Sequence, residues 1–146
     1  MVEFTVSEVE FEKYLELIKD RMSEAVRRLA FTLWVDIHEN SPVDSGRYRD
    51  SNRIAIGVLD DSIHPPRKKG DTYGPEFRDS ITQEELDRFE DVMEAYVVPG
   101  EVWISNSVPY AEQIENGRSA MTPDGVYGPA ESLLAARAEE IARGFR

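Results

Sequence analysis

One stretch, SNSVPYAEQIENGR over residues 105–118, decides how the rest of this chain is arranged. The apolar run before it predicts a strand that ends near Asn106. Pro109 fits the first turn of a helix, where a missing backbone donor costs nothing. The next residues predict a short helix over 110–115, and Gly117 supplies the glycine that commonly ends a helix. We therefore expect a strand, a short helix and a sharp exit within this single stretch.

Two runs with alternating apolar residues predict strands at 53–58 and 101–106. A third run at 96–98 is separated from the second strand by Pro99-Gly100, a turn signal, so it can pair with that strand as a hairpin. The alternation of Arg47, Tyr48 and Arg49 predicts an extended approach to the first strand. Val126-Tyr127 has strand character within the loop over 118–128.

A long helix is predicted over residues 7–39, with Ser7 and Glu10 forming a capping box at its start. Its apolar stripe recurs every three or four residues and consists of Phe11, Leu15, Ile18, Met22, Val26, Leu29, Leu33 and Ile37. Such a helix is about 48 Å long at 1.5 Å per residue. This exceeds what a small domain requires, so we expect part of the helix to pack on another element or another subunit.

Two further helices are predicted, one over 83–94 and one beginning near Gly128-Pro129. Thr82 and Glu85 give the first of these a capping box, and its outer side is acidic. The chain therefore reads as a single α+β domain, 1–146, with a loop-rich and acidic helical insertion at about 59–95. The long N-terminal helix and the C-terminal helix pack on a small, mainly antiparallel sheet.

The composition excludes several classes of protein. The net charge of −12 argues against a nucleic-acid-binding domain, because such domains need surfaces rich in Lys and Arg. The absence of Cys removes disulfides, thiol nucleophiles and thiolate metal sites. No apolar run approaches the roughly 20 residues of a membrane span, and the acidic start does not resemble a signal peptide. We expect a soluble protein without membrane association.

The sequence contains no recognisable catalytic motif. His38 and His64 lack ligand partners at metal-binding spacing, and no nucleophile elbow or phosphate-binding glycine loop occurs. Glu112 and Glu115 share one face of the short helix, where paired carboxylates can perform acid–base chemistry or form a solvated face. We predict no enzyme, no cofactor and no metal, with a hydrolase that uses this pair as an alternative.

Two segments, taken in order, carry a family resemblance. SPVDSGRYR at 41–49 follows the long helix, and VWISN at 102–106 leads into PYAE at 109–112 and ENG at 115–117. A proline-containing loop at 122–126 then precedes the last helix. With this order and spacing the chain resembles the neck or tail-completion family of tailed bacteriophages, whose members are also described as head-tail joining or minor tail proteins.

The resemblance implies a structural virion protein, made in the host bacterial cytoplasm and located in the neck or at the head-proximal end of the tail. Copies would form a ring, six-fold by the resemblance, between the head connector or adaptor proteins and the tail terminator or tail tube proteins. DNA would pass through without specific binding, because an acidic lining repels it. A tail terminator, or a host-directed phage-encoded binding module with an acidic decoy face, is the alternative.

The motifs also suggest roles for individual residues. Contacts between subunits, or contacts within the first motif's turn, are expected at Arg47, Arg49, Tyr110, Glu112, Glu115 and Arg118. Turns are expected to be shaped by Pro42, Asp44, Gly46, Asn106, Pro109 and Gly117. Tyr110 can equally be a core residue. The basic cluster Arg67-Lys68-Lys69 either contacts DNA or an acidic partner or is a solvated loop tip.

Overall fold

The computed structural model describes residues 1–3, 5, 7–66 and 80–145, and it confirms the predicted α+β class. Within these residues the elements follow in the order α1 (Glu8–Asn40), α2 (Arg47–Asp50), β1 (Asn52–Ile56), α3 (Gln83–Met93), β2 (Val102–Asn106), α4 (Ala111–Glu115) and α5 (Tyr127–Arg143). The basic cluster at 67–69 lies outside the described residues.

Local signals at the helix ends account for α1 and α3. The Ser7 hydroxyl accepts a hydrogen bond from the Glu10 backbone N–H, and the Glu10 carboxylate accepts one from the Ser7 backbone N–H, so the predicted capping box is present. Thr82 and Glu85 form the same reciprocal pair at the start of α3. Both helices therefore begin where the sequence predicted.

Within the part of the chain that the structure describes, β1 and β2 form a two-stranded antiparallel sheet in which Asn52 lies opposite Asn106 and Ile54 opposite Ile104. The predicted hairpin between 96–98 and β2 is wrong. The Val98 backbone N–H donates instead to the Ser23 hydroxyl of α1 at 3.0 Å, and the Tyr96 hydroxyl donates to the Gly100 carbonyl at 2.7 Å. This segment is thus held by α1 and by its own turn.

The extended segment predicted at Arg47–Arg49 is also wrong, because these residues form the helical turn α2. Gly46 adopts a left-handed conformation at φ 78° and reverses the chain, and its carbonyl accepts the Asp50 backbone N–H at 2.9 Å. The Arg47 and Tyr48 carbonyls then accept the Ser51 backbone N–H. Side-chain alternation was misleading here, since one glycine conformation determines the direction of the chain.

Likewise, the strand character predicted at Val126-Tyr127 is wrong, because α5 begins at Tyr127. The helix N-terminus forms one residue before Gly128-Pro129 since a side chain from α4, described below, accepts the first backbone N–H groups. The short helix α4 runs over Ala111–Glu115, with Tyr110 as its N-cap residue, close to the predicted 110–115.

Among the described residues, two clusters of buried side chains make up the core, and α1 contributes to both. The first joins α1, β1 and α3 and contains Ala30, Trp34, Ile54, Phe89, Met93 and Tyr96. The second joins α1 to the segments around α2, α4 and α5 and contains Ile37, Tyr48, Val108, Val126 and Ala130. The acidic helix α3 is therefore integrated into the core through its apolar face.

Only the C-terminal half of α1 reaches this core. The stripe residues Phe11, Leu15, Ile18 and Met22 remain 47–56% exposed, whereas Ile37, on the same stripe, is 3% exposed. The N-terminal half of α1, residues 8–22, is hereafter called the free half. Its exposure agrees with the expectation that the helix is longer than its own domain requires.

Candidate functional site

The two motif segments, 41–49 and 102–117, meet beside the paired strand ends of the sheet. Asn106 joins them: its side-chain amide donates to the Tyr48 carbonyl at 2.7 Å and to Asn52 Oδ1 at 2.9 Å. Its own Oδ1 accepts the Val108 backbone N–H at 3.2 Å. One asparagine thus fixes the turn after α1, the end of β2 and the entry to α4 relative to one another.

Asn52, opposite Asn106 in the sheet, extends this network in two directions. Its amide donates to the buried Ser41 hydroxyl at 3.0 Å, and its Oδ1 accepts the Tyr127 hydroxyl at 2.9 Å. Burial raises the pKa of Tyr127 well above its ordinary value, so this phenol remains a hydrogen-bond donor. The end of α1, the sheet and the start of α5 are therefore tied together by fully satisfied polar groups.

A cleft of about 290 Å³ opens where the motif segments face each other. Its walls are Pro42, Asp44, Ser45, Gly46, Tyr48, Tyr110, Ile114, Arg118, Ser119 and Met121. Tyr110 is partly buried against the second core cluster, and its ring centroid lies 6.5 Å from that of Tyr48. The structure thus brings Tyr110 and the exposed Arg118 together on one cleft.

Arg49 is a buried structural residue. Its Nε and Nη2 donate to the two carboxylate oxygens of Glu85 at 2.5 and 2.7 Å, and Nη2 also donates to the Ser80 carbonyl. Both side chains are almost fully inaccessible, at 1% and 0%. Arg49 therefore contacts α3 within its own chain and is not available to a partner.

Glu85 has three roles, of which the sequence indicated only the capping of α3. It caps α3, it pairs with Arg49, and its carbonyl accepts the Trp34 indole N–H at 3.0 Å. Burial would raise the pKa of its carboxyl, but hydrogen bonds from Arg49 and the Thr82 backbone, with nearby positive charge, outweigh burial and hold the pKa below its usual range. The spacing Glu85, Phe89, Met93 along one helix face was the signal that it is buried.

Glu115 acts as a remote cap for α5. Its carboxylate accepts the backbone N–H groups of Val126 at 3.0 Å, Tyr127 at 3.0 Å and Gly128 at 2.6 Å. Burial raises the pKa of this carboxyl, but the three N–H donors lower it more, so its pKa lies below the ordinary value. The Glu115 carboxylate is committed to the helix N-terminus, whereas Glu112 on the same short helix is exposed.

Arg47 and Asp44, two further residues of the first motif segment, lie between α1 and β1. Arg47 donates from Nε to the His64 carbonyl at 3.2 Å, so it fastens the loop after β1 to α2. Asp44, which was expected to shape this turn, lines the cleft, and the Ser45 hydroxyl accepts the Arg47 backbone N–H at 3.4 Å. Gly117 lies at φ 82°, and a Cβ there would collide with the Pro123 carbonyl, so its predicted backbone role is confirmed.

His38 lies beside Trp34, a member of the first core cluster, and is fully buried. Their ring centroids are 3.9 Å apart, and His38 Nδ1 lies 2.8 Å from the Trp34 carbonyl, which identifies Nδ1 as the protonated nitrogen. Burial lowers the pKa of His38 to about 4, with Arg88 and Arg49 acting in the same direction and Glu85 opposing them. His38 is therefore neutral at pH 7.

An apolar groove runs between α1, β2 and α5, with a volume of about 380 Å³. Val26, Leu29 and Leu33 of the α1 stripe form one wall, and Leu134 of α5 lies across from them. The stripe is thus incompletely covered even where it meets the domain.

Two searches of the described residues complete the description of the site. No group of three or more His, Asp or Glu side chains in this part of the chain is arranged to hold a metal ion. Within the same residues, no helix has the length and apolar character needed to cross a membrane.

Comparison of the whole chain with known proteins gives no relative from which a role could be transferred: no protein-family model, curated protein or solved structure matches it.

Proposed function

We propose that this protein is a structural, non-enzymatic component of a tailed bacteriophage virion, which forms a ring at the head-tail junction and joins the completed tail to the connector. The ring is six-fold by the family resemblance, and its neighbours are connector or adaptor proteins on one side and tail terminator or tube proteins on the other. DNA passes through the ring without being bound specifically.

The observation that carries this proposal is the joining of the two motif segments through Asn106. The residues that carry the resemblance are distant in sequence, yet Asn106 bonds to Tyr48 across 58 positions, and the segments share one cleft. Their chemistry consists of turn formers, caps and buried hydrogen bonds. Such groups specify the shape of a scaffold.

The surface supports an assembly role in two further respects. Apolar side chains remain exposed along the free half of α1 and in the groove beside α5, and contiguous apolar surface of this kind marks sites of protein association. The net charge of −12 disfavours retention of DNA, since like charges repel. A ring subunit needs both properties.

The test is inactivation of the gene in the phage or prophage that encodes it, followed by negative-stain electron microscopy of the lysate. Filled heads beside separate tails of normal length are the expected result. Tails of uncontrolled length would instead assign a tail terminator. Normal, infectious particles would overturn the virion role and favour a host-directed binding module. Complementation with the wild-type gene in trans is the control.

A further inference from the structure

We propose that the free half of α1 pairs antiparallel with the same segment of a second copy of this chain, forming a two-fold dimer contact. This inference concerns the chain free in solution and does not depend on the phage role proposed above, since a ring with different neighbours on its two sides has no two-fold axis for such a contact. It rests on an apolar stripe, on the charges that flank the stripe and on the position of this segment beyond the core.

The stripe is continuous and straight along α1. Its spacing of four, three and four residues runs from Phe11 to Met22 and repeats from Met22 to Leu33. An eleven-residue repeat gives about 3.67 residues per turn, close to the 3.6 of an undistorted helix, so the apolar line stays on one face. The domain covers the end of this line at Ile37 and leaves its beginning in solvent.

The flanking charges identify the occupant as a second copy. At 100° per residue, Glu12 and Lys19 lie on one side of the stripe, and Glu10 and Arg21 lie on the other. On each side the acidic residue is nearer the N-terminus and the basic residue nearer the C-terminus. An antiparallel second helix therefore places Glu12 near Lys19 and Glu10 near Arg21, whereas a parallel helix in register places like charges together.

The apolar residues fit the same register. Placing Phe11 of one helix opposite Met22 of the other also places Leu15 opposite Ile18, so the four stripe residues cover one another. Within the part of the chain that the structure describes, Glu12, Lys19 and Arg21 are absent from the ion pairs, and their charges remain available. The two helix dipoles are also opposed in this arrangement, which favours it.

A membrane surface is the less suitable occupant. The segment from Glu8 to Glu24 carries six acidic and three basic side chains, whereas helices that lie on membranes are rich in Lys and Arg on their polar face. Covering the stripe and the adjoining Tyr14 buries roughly 500 Å² per copy, at the small end of specific interfaces. We therefore expect a weak dimer that dissociates on dilution.

Sedimentation velocity over a concentration series tests the pairing. Wild type is expected to shift from monomer to dimer, and Leu15→Glu is expected to weaken the dimer by at least about tenfold. Because Leu15 is exposed in the single chain, this variant stays folded, which circular dichroism checks. A species whose size is unaffected by concentration and by Leu15→Glu, whether a monomer or a larger ring, would overturn the proposal.

Charge reversal tests the register. Glu12→Lys is expected to weaken the dimer, and Glu12→Lys combined with Lys19→Glu is expected to restore it. Asp20→Lys makes the same change in charge on the opposite face of the helix and serves as the matched control, with no loss of dimer. If Glu12→Lys does not weaken the dimer, or if the double variant stays as weak as the single one, the antiparallel register is wrong.

Disulfide trapping tests the direction of pairing. The chain has no native Cys, so only the introduced residues can form disulfides. Chains carrying Phe11→Cys are mixed with size-tagged chains carrying Met22→Cys in a redox buffer. Antiparallel pairing predicts mixed disulfides, because two Phe11 positions then lie about 16 Å apart, beyond the roughly 7 Å that a disulfide can span. A predominance of like-with-like disulfides, or no cross-linking, would contradict the antiparallel contact.

Discussion

At the scale of single residues, Arg49 and Glu85 form a buried ion pair on which the stability of the chain is expected to depend strongly. Replacing Arg49 by Met leaves a buried carboxylate without its partner, and we expect a loss of about 3–5 kcal/mol in the free energy of unfolding. Urea denaturation followed by circular dichroism measures this. Arg118→Met, at an exposed position, is the control and should change stability by less than about 0.5 kcal/mol.

A second variant separates the effect of an unpaired buried charge from the effect of lost side-chain volume. Arg49→Met combined with Glu85→Leu removes both charges, and it should recover part of the lost stability because no unpaired charge remains. Equal stability of Arg49→Met and wild type would mean that Glu85 has another buried partner or is protonated.

Glu115 and Glu112 provide a matched comparison on one short helix. Glu115→Gln should cost about 1–3 kcal/mol because three backbone N–H groups lose a charged acceptor, whereas the exposed Glu112→Gln should be nearly neutral. Thermal unfolding at pH 7 measures both. Equal losses from the two variants would contradict the capping role of Glu115.

This capping has a signed dependence on pH. Because the pKa of Glu115 is lower in the folded chain than its ordinary value near 4.5, its contribution is complete above that value. It is lost as the pH falls through the lower folded-state pKa. Glu85 behaves in the same sense. We therefore expect acid unfolding below about pH 4.5 to be less steep in Glu115→Gln than in wild type.

His38 predicts a separate effect at milder pH. Its folded-state pKa of about 4 lies below the ordinary 6.5, so stability is full above pH 6.5 and falls by roughly 3 kcal/mol as the pH drops towards 4. His38→Gln should flatten the stability curve over this range. A wild-type curve that is level between pH 6.5 and 4.5 would contradict the buried, neutral state of His38.

Within α1, one apolar stripe has two different energetic roles. Ile37→Ala should cost about 2–5 kcal/mol because it opens a cavity in the core, whereas Leu15→Ala should change stability by less than about 0.5 kcal/mol in dilute solution. Chemical denaturation measures both variants. A large loss from Leu15→Ala in dilute solution would show that the free half already packs within its own chain.

Elements whose signals are local were predictable from the sequence. α1 and α3 begin at capping boxes, which involve residues only three positions apart, and β2 is a short apolar run bounded by a turn and by Pro109. The segment at 96–98 was mispredicted because strand propensity does not identify the partner. Its backbone N–H finds Ser23 across 75 positions.

The candidate site was predictable in part for the same reason. Gly46 and Gly117 were identified from turn chemistry, and both have positive φ. Arg49 was assigned to contacts by its motif, but its partner Glu85 lies 36 positions away and was recognised only as a cap. Glu115 was read as half of a carboxylate pair because its distance from the start of α5 cannot be seen in the sequence. Contacts between residues that are far apart along the chain were therefore the part of the site that the sequence did not predict.

For the whole molecule, the net charge of −12 makes a direct prediction about DNA. The purified protein should show no retention of duplex DNA in a gel-shift assay even at low ionic strength, where electrostatic attraction would be strongest. A known basic DNA-binding protein in the same assay is the positive control. Tight, salt-insensitive association with duplex DNA would contradict the proposal that DNA passes through the ring without specific binding.

The pairing of β1 with β2 also determines the order in which the chain can fold. Asn52 and Asn106 are 54 positions apart, and Asp36 of α1 meets Arg137 of α5 across 101 positions. Closing such loops costs conformational entropy before any contact compensates for it, whereas a helix forms within about a microsecond. The strands are thus expected to meet at the rate-limiting step, and α1 acquires its core neighbours only afterwards. Newly made chains therefore spend their earliest moments with the whole apolar stripe of α1 uncovered.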